Sequence, residues 1–207
     1  MFVYLLDAFA GPASPFMYAL LALLALALAV SVERIWSFRQ YRLAIEPLME
    51  AVDRAARSGE LTSLKLGERP VERVVAAGLA ETDAELAWDA MTAAVVGAEL
   101  TIRRRVGYLS TVASVATMVG LFGTVYGLIL AFGAMGDVAA AARAAQLSEG
   151  SATAMATTAF GLFVAIPALL LHAVIDAQAR ELLGEIEQAA NRVVLALRRR
   201  DRAGTSG

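Results

Sequence analysis

The pattern of apolar and polar positions divides the chain into two kinds of segment. Three runs are almost continuously apolar, at about Phe16–Val32, Val106–Gly136 and Ser151–Ile175. Elsewhere apolar residues recur at steps of three and four among charges, the period of an amphipathic helix. The longest run, Val106–Gly136, holds no Asp, Glu, Lys, Arg or His. At about 1.5 Å per residue it reaches roughly 45 Å as a helix, against a hydrocarbon core of roughly 30 Å. The pattern predicts an all-α membrane protein with three transmembrane helices, the second and third long and extended on one side. The segments are an outer N-terminus at 1–15, a first span at 16–36, a helical region at 37–105, a second span at 106–136, a loop at 137–150, a third span at 151–175, and a C-terminal helix and tail at 176–207.

Local signals refine these segments. Pro12 and Pro15 discourage helix before the first span, and Pro15 fits its first turn. That span is Leu and Ala with little polarity, which suits lipid contact. It closes on Glu33-Arg34-Ile35-Trp36, with a tryptophan at the interfacial belt. Ala51–Arg57 and Val71–Ala80 read as short amphipathic helices, separated by Gly59, Gly67 and Pro70. From about Asp83 a helical pattern runs to Arg105 and nothing stops it, so one helix should continue into the second span. Gly97 and Gly107 are its weakest points, at about 1 kcal/mol each. The 137–150 loop is Ala-rich and compatible with helix, with Ser148 or Ser151 as a cap for the third span. Beyond Ile175, Leu182, Ile186, Ala189, Val193 and Leu197 keep the helical spacing, as an extension of the third span packed on that of the second. Arg198–Arg200 fits an inner-face anchor, and Ala203–Gly207 reads as a disordered tail.

Charge then gives the spans a direction. Residues 1–15 hold no Lys or Arg, 34–105 hold eleven, the 137–150 loop only Arg143, and 176–207 six. The heavily basic side should be cytoplasmic, which puts the N-terminus outside and the C-terminus inside. No basic residue precedes the first span, unlike a signal peptide, so it reads as an uncleaved helix. Composition also narrows the chemistry. With no cysteine and only His172, thiolate and histidine-rich metal sites are excluded within one chain. There is no nucleophile elbow, phosphate loop or dinucleotide spacing, so the chain does not read as an enzyme and calls for no cofactor. No basic patch interleaved with aromatics supports nucleic-acid binding.

The candidate chemistry lies in two stripes. Ser110, Ser114, Thr117, Gly120 or Leu121, and Thr124 share one face of the second span. Ala154, Thr158, Gly161, Ala165 and Ala168 do so on the third, with Thr157 beside them. One reading makes these packing faces, their hydroxyls bonded back to their own helix. The other makes them the lining of a polar path, for which two helices of one chain are too few, so that an oligomer is required. On that second reading Ser114, Thr117, Thr124, Thr157 and Thr158 line a proton pathway. Gly120, Gly123, Gly127, Gly161, Ala165 and Pro167 serve helix packing or partner contact, because small residues let another backbone come close. Neither stripe carries a carboxylate, so a proton path here needs an acid from another protein. His172 reads as an interfacial, structurally satisfied histidine, with a relay role as the alternative.

Three segments, Glu33-Arg34-Ile35-Trp36, GLFGTVYG at 120–127 and ATTAFGLFVAIPA at 156–168, resemble the ExbB/TolQ branch of the MotA/TolQ/ExbB proton-channel family. The resemblance covers roughly residues 16–200. It implies a homopentameric ring whose second and third helices line a pore. That pore would enclose the helices of a dimeric, single-span, ExbD/TolR-like partner, which brings the proton-carrying Asp. The family's pore threonines match Thr124 and Thr158. The implied protein sits among the lipids of the bacterial inner membrane, with 1–15 and 137–150 periplasmic and the C-terminus cytoplasmic. It converts proton flow into mechanical work on the cell envelope, for biopolymer transport, envelope maintenance or gliding. A non-conducting scaffold that holds a partner helix is the alternative. The sequence departs from the family pattern at Thr117, where proline is common, at Thr153, where glutamate is common, and at His172-Ala173, in place of a Tyr-Asn pair.

Overall fold

A computed structural model describes residues 9, 13–58, 64, 66–133 and 140–205. Most of the expected outer N-terminus, the end of the second span and the start of the 137–150 loop lie outside the described residues. The helices are α1 Ser14–Ser58, α2 Pro70–Leu79, α3 Ala84–Arg103, α4 Val106–Gly133 and α5 Ala140–Thr205, and there is no strand among the described residues. Three stretches, Ser14–Ser58, Ala84–Gly133 and Arg143–Arg199, are long and apolar enough to cross a membrane.

The helices differ from the sequence reading in three places. First, α1 continues past Trp36, where the first span is read to close. It runs unbroken for 45 residues and through Pro47, taking in the short helix expected at Ala51–Arg57. The residues after Arg34 favour helix, and no glycine interrupts them before Gly59. Second, the helix expected to run from Asp83 into the second span breaks at Arg104–Arg105, not at either glycine. Arg105 has φ 68°, a left-handed conformation that costs a non-glycine residue roughly 1–2 kcal/mol. The Tyr108 N–H bonds to the Arg105 carbonyl at 3.1 Å as α4 begins. Third, the 137–150 segment, compatible with helix from its sequence, is helix from Ala140 on, so Ser148 and Ser151 lie inside α5 rather than capping it. The Ala-rich composition of 138–145 accounts for this, alanine being the best helix former. At the other end α5 includes 203–205, which read as tail, while 206–207 lie outside the described residues.

The chain divides into two compact units. One comprises residues 1–32 and 105–173, the other 33–104 and 174–207. In the first, apolar unit, α1 buries Met17, Leu20, Ala27 and Val30, and α4 buries Leu109, Val112, Ala113, Ala116 and Ala131. α5 buries Ala154, Phe160, Val164, Ala165 and Ala168. Leu121, Phe122, Ile129, Phe163, Ile166 and Leu170 are exposed, as lipid or another apolar helix would require.

The second unit carries almost all the charge. α2 opens with Pro70 at its first position, and the Arg69 N–H donates to the Glu72 carboxylate at 3.0 Å. α3 opens on Asp83, whose carboxylate accepts the Glu85 N–H at 2.7 Å. Asp83→Ala should therefore cost about 1 kcal/mol, seen as a melting temperature roughly 2–4 °C lower by circular dichroism. The core draws on Met49 and Val52 of α1, Val74 and Val75 of α2, Met91 and Ile102 of α3, and Ile175, Leu182, Ile186 and Val193 of α5. Ion pairs tie α5 to its neighbours: Arg42 to Glu181 and Glu185, both at 2.7 Å, and Arg103 to Asp176 at 3.1 Å. Hydrogen bonding to Glu185 and then Glu181 raises the Arg42 pKa above its ordinary value. Arg42, Arg103 and Glu181 are exposed, while Glu185 and Asp176 are half-buried, so the pairs serve register more than stability. At the start of this unit Arg34 is buried and pairs with Glu33 at 2.7 Å, while Trp36 stays exposed.

Candidate functional site: the seam between α4 and α5

α4 and α5 meet where their side chains are smallest. A Cβ built on Gly120 would lie 3.1 Å from the Gly161 Cα and 3.1 Å from the Thr157 carbonyl oxygen. One on Gly161 would lie 2.8 Å from the Ala116 carbonyl oxygen and 3.0 Å from the Gly120 Cα. The backbones thus touch at a Gly–Gly contact. The seam continues with Gly123, whose Cβ would meet the Thr157 hydroxyl at 2.9 Å, and Gly127, whose Cβ would meet the Ala154 Cβ at 2.9 Å. Ala165 is buried on the same helix, whereas Pro167 is exposed. Pro167 therefore lies outside the buried line of this seam, about half a turn around α5 from Ala165.

The close approach brings the threonines of one helix onto the carbonyls of the other. Thr158 Oγ1 donates to the Gly120 carbonyl at 3.1 Å, across the seam. Thr124 Oγ1 reaches the Ala154 carbonyl at 3.1 Å across the seam and the Gly120 carbonyl at 3.2 Å on its own helix. The Thr124 and Thr158 hydroxyls are hydrogen-bonded to each other. Thr157 Oγ1 donates to the Ala154 carbonyl at 2.7 Å, with Gly120 O at 3.3 Å. Three hydroxyls and two carbonyls thus form one cluster. Thr124 and Thr158 are half-buried at its edge, while Thr157 is 0% exposed. The lining role expected for Thr157 is corrected by that burial, since its hydroxyl is sealed between the helices.

Ser114 and Thr117 stand apart from the cluster. Their hydroxyls return to the Ser110 and Ala113 carbonyls, each at 3.0 Å, on an exposed face of α4. The single stripe read from the sequence is two parallel lines. Ala113, Ala116, Gly120, Gly123, Gly127 and Ala131 form the buried one. Ser114, Thr117, Leu121 and Thr124 form the exposed one, so Leu121 rather than Gly120 continues the hydroxyl line. The hydroxyls fall into two sets: Ser114 and Thr117 bond to their own helix, whereas Thr124 and Thr158 bond across. His172 is half-buried.

The seam also contains residues the sequence reading passed over. A Cβ on Gly150 would lie 2.5 Å from the Ala131 Cβ, so the contact line reaches into the segment read as a loop. The signal was present: Gly150, Ala154, Thr157, Gly161, Ala165 and Ala168 keep one face of small residues. The cluster holds hydroxyls and carbonyls and no group that ionises near neutral pH. It can orient a polar group or water and bond to it, but it cannot by itself carry a proton away.

Residues 67–188, more than half of the chain, match the model of the MotA/TolQ/ExbB proton channel family. The chain is 45% identical over 71 residues to the Tol-Pal system protein TolQ of Haemophilus influenzae, covering 34% of this chain and 31% of that one. It is 34% identical over 111 residues to TolQ of Pseudomonas aeruginosa, covering 54% and 48%. The match thus spans less than half the length of either TolQ protein. A putative biopolymer transport protein, ExbB-like 3, of Synechocystis is 29% identical over 185 residues, 84% of this chain and 86% of that one. With its three apolar helices and the glycine–threonine seam between two of them, this chain belongs to the MotA/TolQ/ExbB proton channel family, as a membrane protein of the ExbB/TolQ type.

Proposed function

We propose that this chain is a non-enzymatic proton-channel and motor subunit of the bacterial inner membrane, with its N-terminus periplasmic and its C-terminus cytoplasmic. Copies of it form a ring, a pentamer, around a dimeric single-span partner of the ExbD/TolR kind. That partner supplies the proton-carrying Asp, and the coupled motion does work on the envelope. The observation that carries the reading is the Thr124–Thr158 pair. It joins two spans, it stays half-exposed, and it lies in a unit whose spans carry no acid of their own. A hydroxyl pair so placed gives a partner's acid something to bond with at the depth of the membrane. Relatives named for the Tol-Pal system and for biopolymer transport support the same class of work.

The test is proton flux into vesicles containing the chain and the single-span protein that co-purifies with it. Thr158→Val should leave the size profile unchanged. Loss of one hydrogen bond worth about 1 kcal/mol or slightly more should lower flux roughly tenfold. Wild-type flux from both Thr158→Val and Thr124→Ala would remove the hydroxyl pair from the proton path, and a wild-type complex with no flux above that of protein-free vesicles would favour the non-conducting scaffold instead.

A further inference from the structure

The hydrogen bonds of the seam set its polarity. The cluster contains three hydroxyl protons, one each on Thr124, Thr157 and Thr158, and carbonyls contribute none. Thr157 is sealed, and its proton goes to the Ala154 or Gly120 carbonyl. One further proton lies between Thr124 and Thr158, whichever of them donates it. If Thr124 donates it, Thr158 gives its own to the Gly120 carbonyl. If Thr158 donates it, Thr124 gives its own to the Ala154 or Gly120 carbonyl. In either case every proton is engaged inside the seam. The oxygen lone pairs of Thr124 and Thr158, which are only half-buried, remain available outside it.

We infer that the Thr124–Thr158 edge is a hydrogen-bond acceptor, and that it favours the neutral, protonated form of a carboxylic acid seated against it over the carboxylate. A carboxylate brings only acceptors and would have to pull a hydroxyl proton away from a backbone carbonyl. A neutral acid brings the donor that the edge lacks. The surroundings do not reverse this preference. Residues 14–32, 106–133 and 150–171 hold no Asp, Glu, Lys, Arg or His. Within these stretches the titratable groups are the phenols of Tyr18, Tyr108 and Tyr126, and the charged or titratable residues directly beyond their ends are Glu33, Arg105, Glu149 and His172. This inference deepens the proton-channel reading and rests on it for the acid's origin. It assigns the edge the work of holding a proton on a carrier rather than drawing one off.

The test needs no partner, so its failure is separable from failure of the flux experiment. Leu121 is exposed and lies one turn before Thr124 on the same line, so Leu121→Glu puts a carboxyl beside the intact pair. The carboxyl's titration is followed by infrared spectroscopy of the purified chain in lipid nanodiscs. Apolar surroundings alone raise that pKa, so the informative quantity is its change when Thr124 and Thr158 are both replaced by Val. An acceptor edge holds the proton on the acid. Removing it should lower the pKa, by about one pH unit for each bond of about 1.4 kcal/mol lost. A rise on removing the hydroxyls would mean that they donate to the carboxylate, and no change would mean that they do not engage it. Either result overturns the inference. Leu128→Glu, one turn beyond Thr124, gives the same comparison should the first variant not fold.

Discussion

Gly161→Val should leave little folded protein in detergent. The added Cβ would lie 2.8 Å from the Ala116 carbonyl oxygen and 3.0 Å from the Gly120 Cα. Both are backbone atoms of α4, so no side chain can swing aside and the helices themselves must part. Overpacking commonly costs about 1–3 kcal/mol even where side chains can adjust. Parting the helices also breaks the cross-seam bonds of Thr124 and Thr158, each worth about 0.5–1.5 kcal/mol. The sum is on the order of 4 kcal/mol, at the severe end for one substitution. Gly97→Ala and Gly184→Ala are the controls. A Cβ meets nothing within 4 Å at either site, and each should gain up to about 1 kcal/mol from helix propensity. Size-exclusion profiles and thermal melts of the three variants decide the matter. A wild-type melt for Gly161→Val would mean that the Gly120–Gly161 contact does not exist.

The seam was legible in the sequence because its signal is local and strong. Small residues repeat at three and four on two apolar helices, and a membrane leaves few other uses for such a pattern. What was not legible was which side of each stripe faces in. Gly120 and Leu121 are adjacent and both fit a three-to-four step from Thr117, so periodicity cannot separate them. Only the position of the other helix does so, by burying Gly120 and leaving Leu121 exposed. The same limit misplaced Thr157, which differs from Thr158 by one position and by the whole of its exposure. Helix ends failed for another reason. Arg34 and Trp36 mark where the environment changes, which bounds a span but not a helix, and α1 continues to Ser58. Conversely, the break at Arg104–Arg105 has no proline or glycine to announce it.

The glycines and threonines of this seam depend on each other. A threonine hydroxyl reaches a carbonyl of the neighbouring helix only if the two backbones are nearly in contact, which requires Gly120 and Gly161. Hydroxyls brought so close must find partners, and the Gly120 and Ala154 carbonyls provide them. The edge that remains accessible, Thr124 with Thr158, is thus fixed in place by residues that never meet anything outside. A change at Gly120 should therefore alter proton flux and the titration of an introduced acid together. A change at Thr117, whose hydroxyl returns to its own helix, should alter neither by the same route.

In the charged unit, Gly78→Val and Met91→Ala should each destabilise the protein, and together they should cost clearly less than the sum of the two. Gly78 on α2 faces Met91 on α3. An added Cβ would lie 2.5 Å from the Met91 sulfur, 2.7 Å from its Cγ and 2.9 Å from its Cε. Met91 is a flexible side chain, but it is 0% exposed, so any shift presses on the core around it. Valine at position 78 should therefore cost about 1–3 kcal/mol by overpacking. Met91→Ala removes the buried side chain and leaves a cavity, at about 2–5 kcal/mol. In the double variant the valine occupies the space that the methionine vacated, so each change relieves part of the other. The coupling should fall within the range of roughly 0.5–3 kcal/mol seen for residues in direct contact. It is read from thermal melts of the four proteins under one set of conditions. Strict additivity would show that α2 and α3 do not meet at this pair, since two independent defects would then simply accumulate.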